Sequence, residues 1–278
     1  MMRFLSQSVM AVVLSALVSV SAGAGQTYVV AVYPQFTPVD IGMRWMPLLK
    51  RLESAVGVSF QLRVFDKAPT FEVDFLYGGP DFLFLNPYHM VMANRAQGYV
   101  PLVRSVEPQM GILVVERDGP VRTLADLQGG KVAFPSPNAF GASLYMRALL
   151  AEKEKIAFTP VYVGTHQNVY RHVILGDEAA GGGIVMTLEH EPVAVKSRLR
   201  ILHKTPEFSS HPLAAHPRVS KEIREKVTQA LLALKEDVAG RKLLEDVELG
   251  GAVAADYIRD YQPLEKLKLD RYLVVDKK

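Results

Sequence analysis

The sequence predicts an exported α/β protein, and three observations carry that reading. Short β-branched or apolar runs alternate with amphipathic helical stretches, a brief apolar segment near the start ends in small residues, and the composition suits a packed core. Alternating strands and helices imply mostly parallel sheets covered by helices on both faces. Sheets of this kind present ligand sites at the carboxyl ends of their strands.

The chain opens with Arg3, an almost unbroken apolar run from Val9 to Val20, and the small-x-small triplet Ala22-Gly23-Ala24. That is the pattern of a cleavable export signal over residues 1–24. Its apolar run is well short of the roughly 20 residues of a spanning helix. No Cys follows it, so the expected product is a free periplasmic protein without a lipid anchor. About 254 residues remain, enough for one large or two modest domains with real cores. The chain has no Cys at all, which excludes disulfides and thiolate metal sites. A net charge of +3, with 22% charged residues of both signs, is too balanced for a nucleic-acid or membrane-surface binder.

Strands are expected at 28–33, 59–65, 81–85, 100–103, 111–116, 131–134, 160–164, 180–186, 199–202 and 212–215. Met43, Met46, Leu49, Leu52 and Val56 recur at helical steps, as do Ile223, Val227, Leu231 and Leu234 after the N-cap candidate Ser220. Trp45, inside the first helical pattern, reads as core. Five turns between a strand and a helix then become the places to look for a site: 33–36, 67–70, 85–88, 135–141 and 164–167. The fourth, Pro135-Ser136-Pro137-Asn138-Ala139-Phe140-Gly141, leads into a helix over 139–152. Its exposed N–H groups suit an anion or a polar ligand head, or Asn138 is simply the N-cap of that helix.

The order and spacing of Asp81-Phe-Leu-Phe-Leu-Asn-Pro87, Leu124-Ala-Asp-Leu-Gln-Gly129, Ala133-Phe-Pro-Ser-Pro-Asn138, Gly164-Thr-His166 and Gly176 resemble the phosphonate- and phosphite-binding proteins of ABC importers, the PhnD-like group. Thr205-Pro-Glu-Phe, Pro212-Leu-Ala-Ala and the helix at 220–234 extend the resemblance over nearly all of the mature chain. It implies a two-lobed periplasmic binding protein fold with two crossover strands. Lobe 1 would comprise 25–110 plus 213–278 and lobe 2 residues 111–211, with a small ligand gripped by hinge closure. It also implies a monomer without a cofactor or enzymatic activity that delivers ligand to an ABC permease. The alternative is a sensory subunit that presents its ligand to a membrane histidine kinase.

Positions just beyond the carboxyl ends of the expected strands place ligand contacts at Tyr33, Phe36, Asn86 and Tyr88 in one lobe and at Asn138, Ala139, Phe140, Gly141 and His166 in the other. Thr70 and Lys67 join the first group; Lys67 reads either as a cation for the ligand or as a solvated loop lysine. The sequence departs from the family where a Ser-Thr-Ser cluster is usual, reading Ala139-Phe140-Gly141, and an acidic family position after Gly176 falls on Ala179. Loss of these groups suggests a ligand less charged or more apolar than phosphonate. Phe140 would either cover an apolar part of the ligand or plug the pocket. An anionic ligand on His166 would weaken as pH rises through the imidazole pKa.

Enzyme signatures are absent: there is no His-Glu-x-x-His, no nucleophile elbow, and Gly129-Gly130-Lys131 lacks the following Ser or Thr of a phosphate loop. His166 and His172 lie about 240° apart on a helix and cannot share a metal. His190, His211 and His216 read as isolated surface histidines. Gly181-Gly182-Gly183 reads as a closely packed strand.

Overall fold

The computed structural model describes residues 26–274, so the expected export signal at 1–24 lies outside the described residues. Among the described residues no helix is long and apolar enough to cross a membrane. Two sheets form the two lobes. The first contains β1 (Thr27–Val32), β2 (Ser59–Arg63), β3 (Phe82–Phe84), β4 (Val100–Arg104), β10 (Pro212–Ala215) and β11 (Val253–Ala254), in the order β11-β4-β10-β3-β1-β2. The second contains β5 (Gly111–Glu116), β6 (Lys131–Phe134), β7 (Thr159–Tyr162), β8 (Ala180–Ile184) and β9 (Leu199–Lys204), in the order β7-β6-β8-β5-β9. Every expected strand is present, and β11 is the addition; it is two residues long and has no apolar run to announce it.

The sheets are mixed, which corrects the expectation of mostly parallel ones. β1 pairs parallel with β2 and β3, and β6 parallel with β7 and β8. β10 instead runs antiparallel to β3 and β4, and β5 antiparallel to β8 and β9. The reason is topological. β1, β3, β6 and β8 end at the seam between the lobes, whereas β5 and β10 start there, each entered straight from a crossing segment. A strand that leaves the seam must run against strands that arrive at it. The crossing segments, 105–110 and 205–211, also pair with each other: Gln109 N donates to Phe208 O at 2.8 Å and Phe208 N to Gln109 O at 3.0 Å.

The first helix, Pro38–Val56, shows how the sequence sets its own ends. Thr37 Oγ1 accepts from Asp40 N at 3.2 Å, Pro38 opens the first turn, and Gly57 closes it at φ 79°, a left-handed conformation that favours glycine. Its buried face is Ile41, Trp45, Leu48, Leu49, Leu52 and Val56, with Trp45 against Phe84 at a ring separation of 5.0 Å. Met43 and Met46, assigned to that face from spacing, are exposed. The true stripe begins at Ile41, and Met43 stands about 200° around the helix from it. In the helix Lys221–Ala233 the expectation holds, with Ser220 Oγ accepting from Ile223 N at 3.3 Å and Val227 and Leu231 buried.

The glycine triplet in β8 fixes how the second lobe presents its turns. A Cβ on Gly182 would lie 2.0 Å from Ala142 O and 2.6 Å from Phe134 Cδ1, so the helix over 140–153 rests directly on the strand. Gly182→Val is expected to cost about 2 kcal/mol through overpacking and to lower the melting temperature by about 6 °C, which calorimetry would measure. An unchanged melting temperature would mean that the helix can lift from the sheet at no cost.

Candidate ligand site

At the seam, turns from both sheets converge. Tyr33 and Gln35 follow β1, Asn86 follows β3, residues 139–142 follow the turn after β6, and His166 opens the helix His166–Leu175 after β7. With Gln109, Ile184, Phe208 and His211 they line a cavity of about 10 Å3, roughly the space of one water molecule. Tyr33 Oη and Ser136 Oγ hydrogen-bond across the seam at 3.1 Å, and Asn86 Nδ2 donates to Asn138 O at 3.0 Å.

Four side-chain atoms of this lining are buried without a hydrogen-bond partner: Gln35 Oε1, Gln109 Oε1, His166 Nδ1 and His211 Nδ1. Buried polar groups are rarely left so, and their convergence on one cavity makes it the candidate ligand site. The Gln35 amide is oriented by Glu248, whose Oε1 accepts from its Nε2, and this turns the amide oxygen free. On the facing helix the first intrahelical bonds run from Ser143 N and Leu144 N to Ala139 O, at 2.8 and 3.0 Å. The N–H groups of Phe140, Gly141 and Ala142 therefore precede the helical ladder and are open to an acceptor.

Burial dominates the protonation of the site. It lowers the His166 imidazole to about 4, and it lowers His211 to about 3 with help from neighbouring His89 and His166. Both rings are therefore neutral at pH 7, and no Lys or Arg lines the cavity. The expected loss of anion affinity as His166 deprotonates near its ordinary pKa is corrected accordingly: without a ligand the ring has lost its proton well below that range. Glu248 moves the other way, pushed up by burial to about 7 against the pull of its Gln35 hydrogen bond and of Arg44.

The expected contact residues divide into two groups. Tyr33, Asn86, Ala139, Phe140, Gly141 and His166 line the cavity. Asn138 sits one shell behind and does not cap the helix. Its Nδ2 donates to Glu72 Oε2 and Val274 O, both at 2.7 Å, and Ala139 stands at the helix start instead. Tyr88 is buried behind Phe140, stacked on it at 5.9 Å with 14° between planes, and Phe36 faces a separate small cavity under the Arg44 guanidinium. Lys67 and Thr70 are exposed at the start of the helix Ala68–Leu76, where Thr70 Oγ1 donates to Lys67 O at 2.8 Å. Because they are solvated at a helix start, they lie outside the cavity lining.

Phe140 is wedged between the lobes. It stacks on Tyr88 and Tyr145 and meets Phe208 edge-on at 4.7 Å. Gly141 permits this approach, because a Cβ there would lie 2.5 Å from Phe208 Cζ. Sequence reading missed Gln109, Phe208 and His211, although a two-lobed fold places its crossing segments on the cleft floor. His211, read as a surface histidine, is buried because β10 starts at the seam. Among the described residues the one cluster with metal-ligand spacing is His172, Asp177 and Glu178, at the carboxyl end of the helix His166–Leu175. His172 Nδ1 lies 2.9 Å from Glu178 Oε2 there, a contact that holds the ring against the end of the helix.

Comparison with known proteins bears on the family and the fold. The model of a family described as "ABC transporter, phosphonate, periplasmic substrate-binding protein" matches residues 30–261. No curated protein matches. Among solved structures, a binding protein component of an ABC phosphonate transporter from Pseudomonas aeruginosa is 13% identical with a TM-score of 0.78, covering 89% of this chain and 88% of that one. PhnD1 from Prochlorococcus marinus, in complex with methylphosphonate, is 15% identical with a TM-score of 0.77, covering 87% and 96%. XAC2383 from Xanthomonas citri, bound to ATP, is 16% identical with a TM-score of 0.73, covering 88% and 98%. By the extent of the family match, the chain belongs to the periplasmic substrate-binding proteins of phosphonate-type ABC transporters.

Proposed function

We propose that the protein binds a small polar ligand in the seam between its lobes and delivers it to an ABC permease, with residues 25–110 and 213–278 closing against 111–211. The observation that carries this reading is the set of unpartnered polar atoms, Gln35 Oε1, Gln109 Oε1, His166 Nδ1 and His211 Nδ1, gathered around one cavity. The open N–H groups of Phe140, Gly141 and Ala142 would receive an oxygen of the ligand, as helix N-termini receive oxyanions. Neutral His166 would donate or accept according to the ligand. Closure follows because contacts come from both sheets, and a ligand shifts the equilibrium only by binding the closed form better. Delivery to a permease is favoured over presentation to a sensor kinase by the family match.

A cavity of about 10 Å3 holds no phosphonate as it stands, so binding requires Phe140 to move or the lobes to part. Calorimetry with phosphonates, phosphite, phosphate and small organic acids, on the wild type and on His166→Ala, tests the reading. A ligand of the seam should lose about tenfold or more in affinity in the variant, and scattering should show compaction on binding. Undiminished binding to His166→Ala would remove the residue from the site, and an unchanged radius of gyration at saturation would remove closure.

A further inference from the structure

Besides the two crossing segments, a third stretch of chain touches both lobes. The short 3-10 helix Leu269–Tyr272 starts on the first lobe. Leu269 is 1% exposed in the apolar cluster that holds Phe71 and Tyr88. Asp270 Oδ1 accepts from Arg95 Nη1 at 3.1 Å and from the Tyr88 hydroxyl at 3.4 Å. The residues that follow turn to the second lobe. Arg271 pairs with Glu152, and Tyr272 O accepts from Arg147 Nη2 at 2.8 Å. Val274 is held through both backbone groups by the Asn138 side chain, its N–H at 3.0 Å and its C=O at 2.7 Å.

Arg147 is what makes this contact more than surface packing. The residue is 8% exposed, and none of its partners is a carboxylate. Its guanidinium is met by Ser143 Oγ, by the carbonyls of Pro137 and Tyr272, and by the rings of Tyr162 and Tyr272 at 5.8 and 5.9 Å. One carbonyl and one ring of that set come from the C-terminal segment. Lifting the segment away would therefore strip a buried cation of an acceptor and of a ring face, which opposes separation.

We propose that residues 269–274 form a strap that holds the lobes closed, anchored on the first lobe by Leu269 and Asp270 and released from the second at Arg271, Tyr272 and Val274. This rests on the reading that the lobes part and close. The strap biases the free protein toward the closed form, so a ligand that prefers that form gains affinity in proportion to the fraction already closed. It also makes ligand entry and exit wait for the strap to detach.

The test is a chain ending at Asp270, which keeps both first-lobe anchors and removes the described contacts to the second lobe, measured without ligand. Scattering should show a radius of gyration about 1 Å above the roughly 18 Å of a compact chain of this size. The amides of 140–142, which precede the helical ladder and are shielded by closure, should exchange hydrogen about tenfold faster or more. A second variant, Glu152→Arg, sets like charges at the exposed end of the strap and leaves the core intact. It should speed the same exchange about threefold, and adding Arg271→Glu should restore protection. If the shortened chain does not fold, this reversal and its rescue decide alone. Wild-type dimensions and exchange in the shortened chain would overturn the strap, as would a reversal without effect or without rescue. A ligand found in the seam by calorimetry would still stand in those cases, so the strap and the ligand site fail separately.

Discussion

Asn138→Leu is expected to produce the largest loss of stability of any substitution at the seam. Asn138 is buried, and its side chain ties three segments together. Nδ2 reaches Glu72 Oε2 and Val274 O, and Oδ1 accepts from Val274 N at 3.0 Å. Leucine fills much the same volume but removes all three bonds, leaving a buried Glu72 carboxylate with His89 Nε2, at 3.1 Å, as its remaining partner. Stranding one oxygen of a buried carboxylate costs about 3 kcal/mol, or about 10 °C in melting temperature for a protein of this size. The same change loosens the C-terminal segment, which also meets the second lobe where Tyr272 O accepts from Arg147 Nη2 at 2.8 Å and where Arg271 pairs with Glu152. Scattering should therefore show a more open molecule as well as a lower melting temperature. A melting temperature within 2 °C of the wild type would show that the knot at Asn138 is dispensable.

Much of the fold was legible because burial imposes periodicity. The central strands of the second sheet are covered on both faces, so β5 and β6 read as continuous apolar runs, and the helix Lys221–Ala233 carries its stripe and its cap in plain view. Strand direction was not legible. It depends on whether a strand arrives at the seam or leaves it, and no local pattern encodes that. The lining of the candidate site was legible where it follows strand ends, at Tyr33, Asn86 and 139–141, and illegible where the crossing segments supply it, since Gln109, Phe208 and His211 carry no periodic signal. Asn138 shows a further limit: the sequence offers it as an N-cap, but tertiary partners in Glu72 and Val274 take its side chain instead.

Those tertiary contacts also explain why Phe140 can stand where side-chain donors would otherwise be expected. Its ring joins Tyr88 and Phe208 in an apolar cluster shared by the two lobes, so closure buries aromatic surface as well as polar groups. Aromatic burial is non-directional and favours closing; the unpartnered atoms beside it are directional and favour one ligand over others. On the proposed reading, the seam would divide affinity and selectivity between neighbouring residues.

Acidification should drive the seam apart. His166 and His211 have folded-state pKa values depressed by burial to about 4 and about 3, so their contribution is fully present above the unfolded value near 6.5 and is lost as pH falls below it. At pH 5 each neutral ring should cost about 2 kcal/mol relative to pH 7, or about 4 kcal/mol for the pair. Glu248 opposes this. Its folded pKa is raised to about 7, so its contribution is present below about 4.5 and is lost as pH rises through 7, and acidification to pH 5 returns about 2 kcal/mol. The wild type should therefore open or melt earlier at pH 5 by a net amount of about 2 kcal/mol, whereas Glu248→Gln, stripped of the opposing group, should lose the full effect of about 4 kcal/mol. His166→Gln combined with His211→Gln should reverse the sign and leave a protein more stable at pH 5 than at pH 7. Melting temperature and radius of gyration measured from pH 7 to pH 5 on the three proteins give the answer, and the same pH response in all three would show that the buried histidines do not govern the seam.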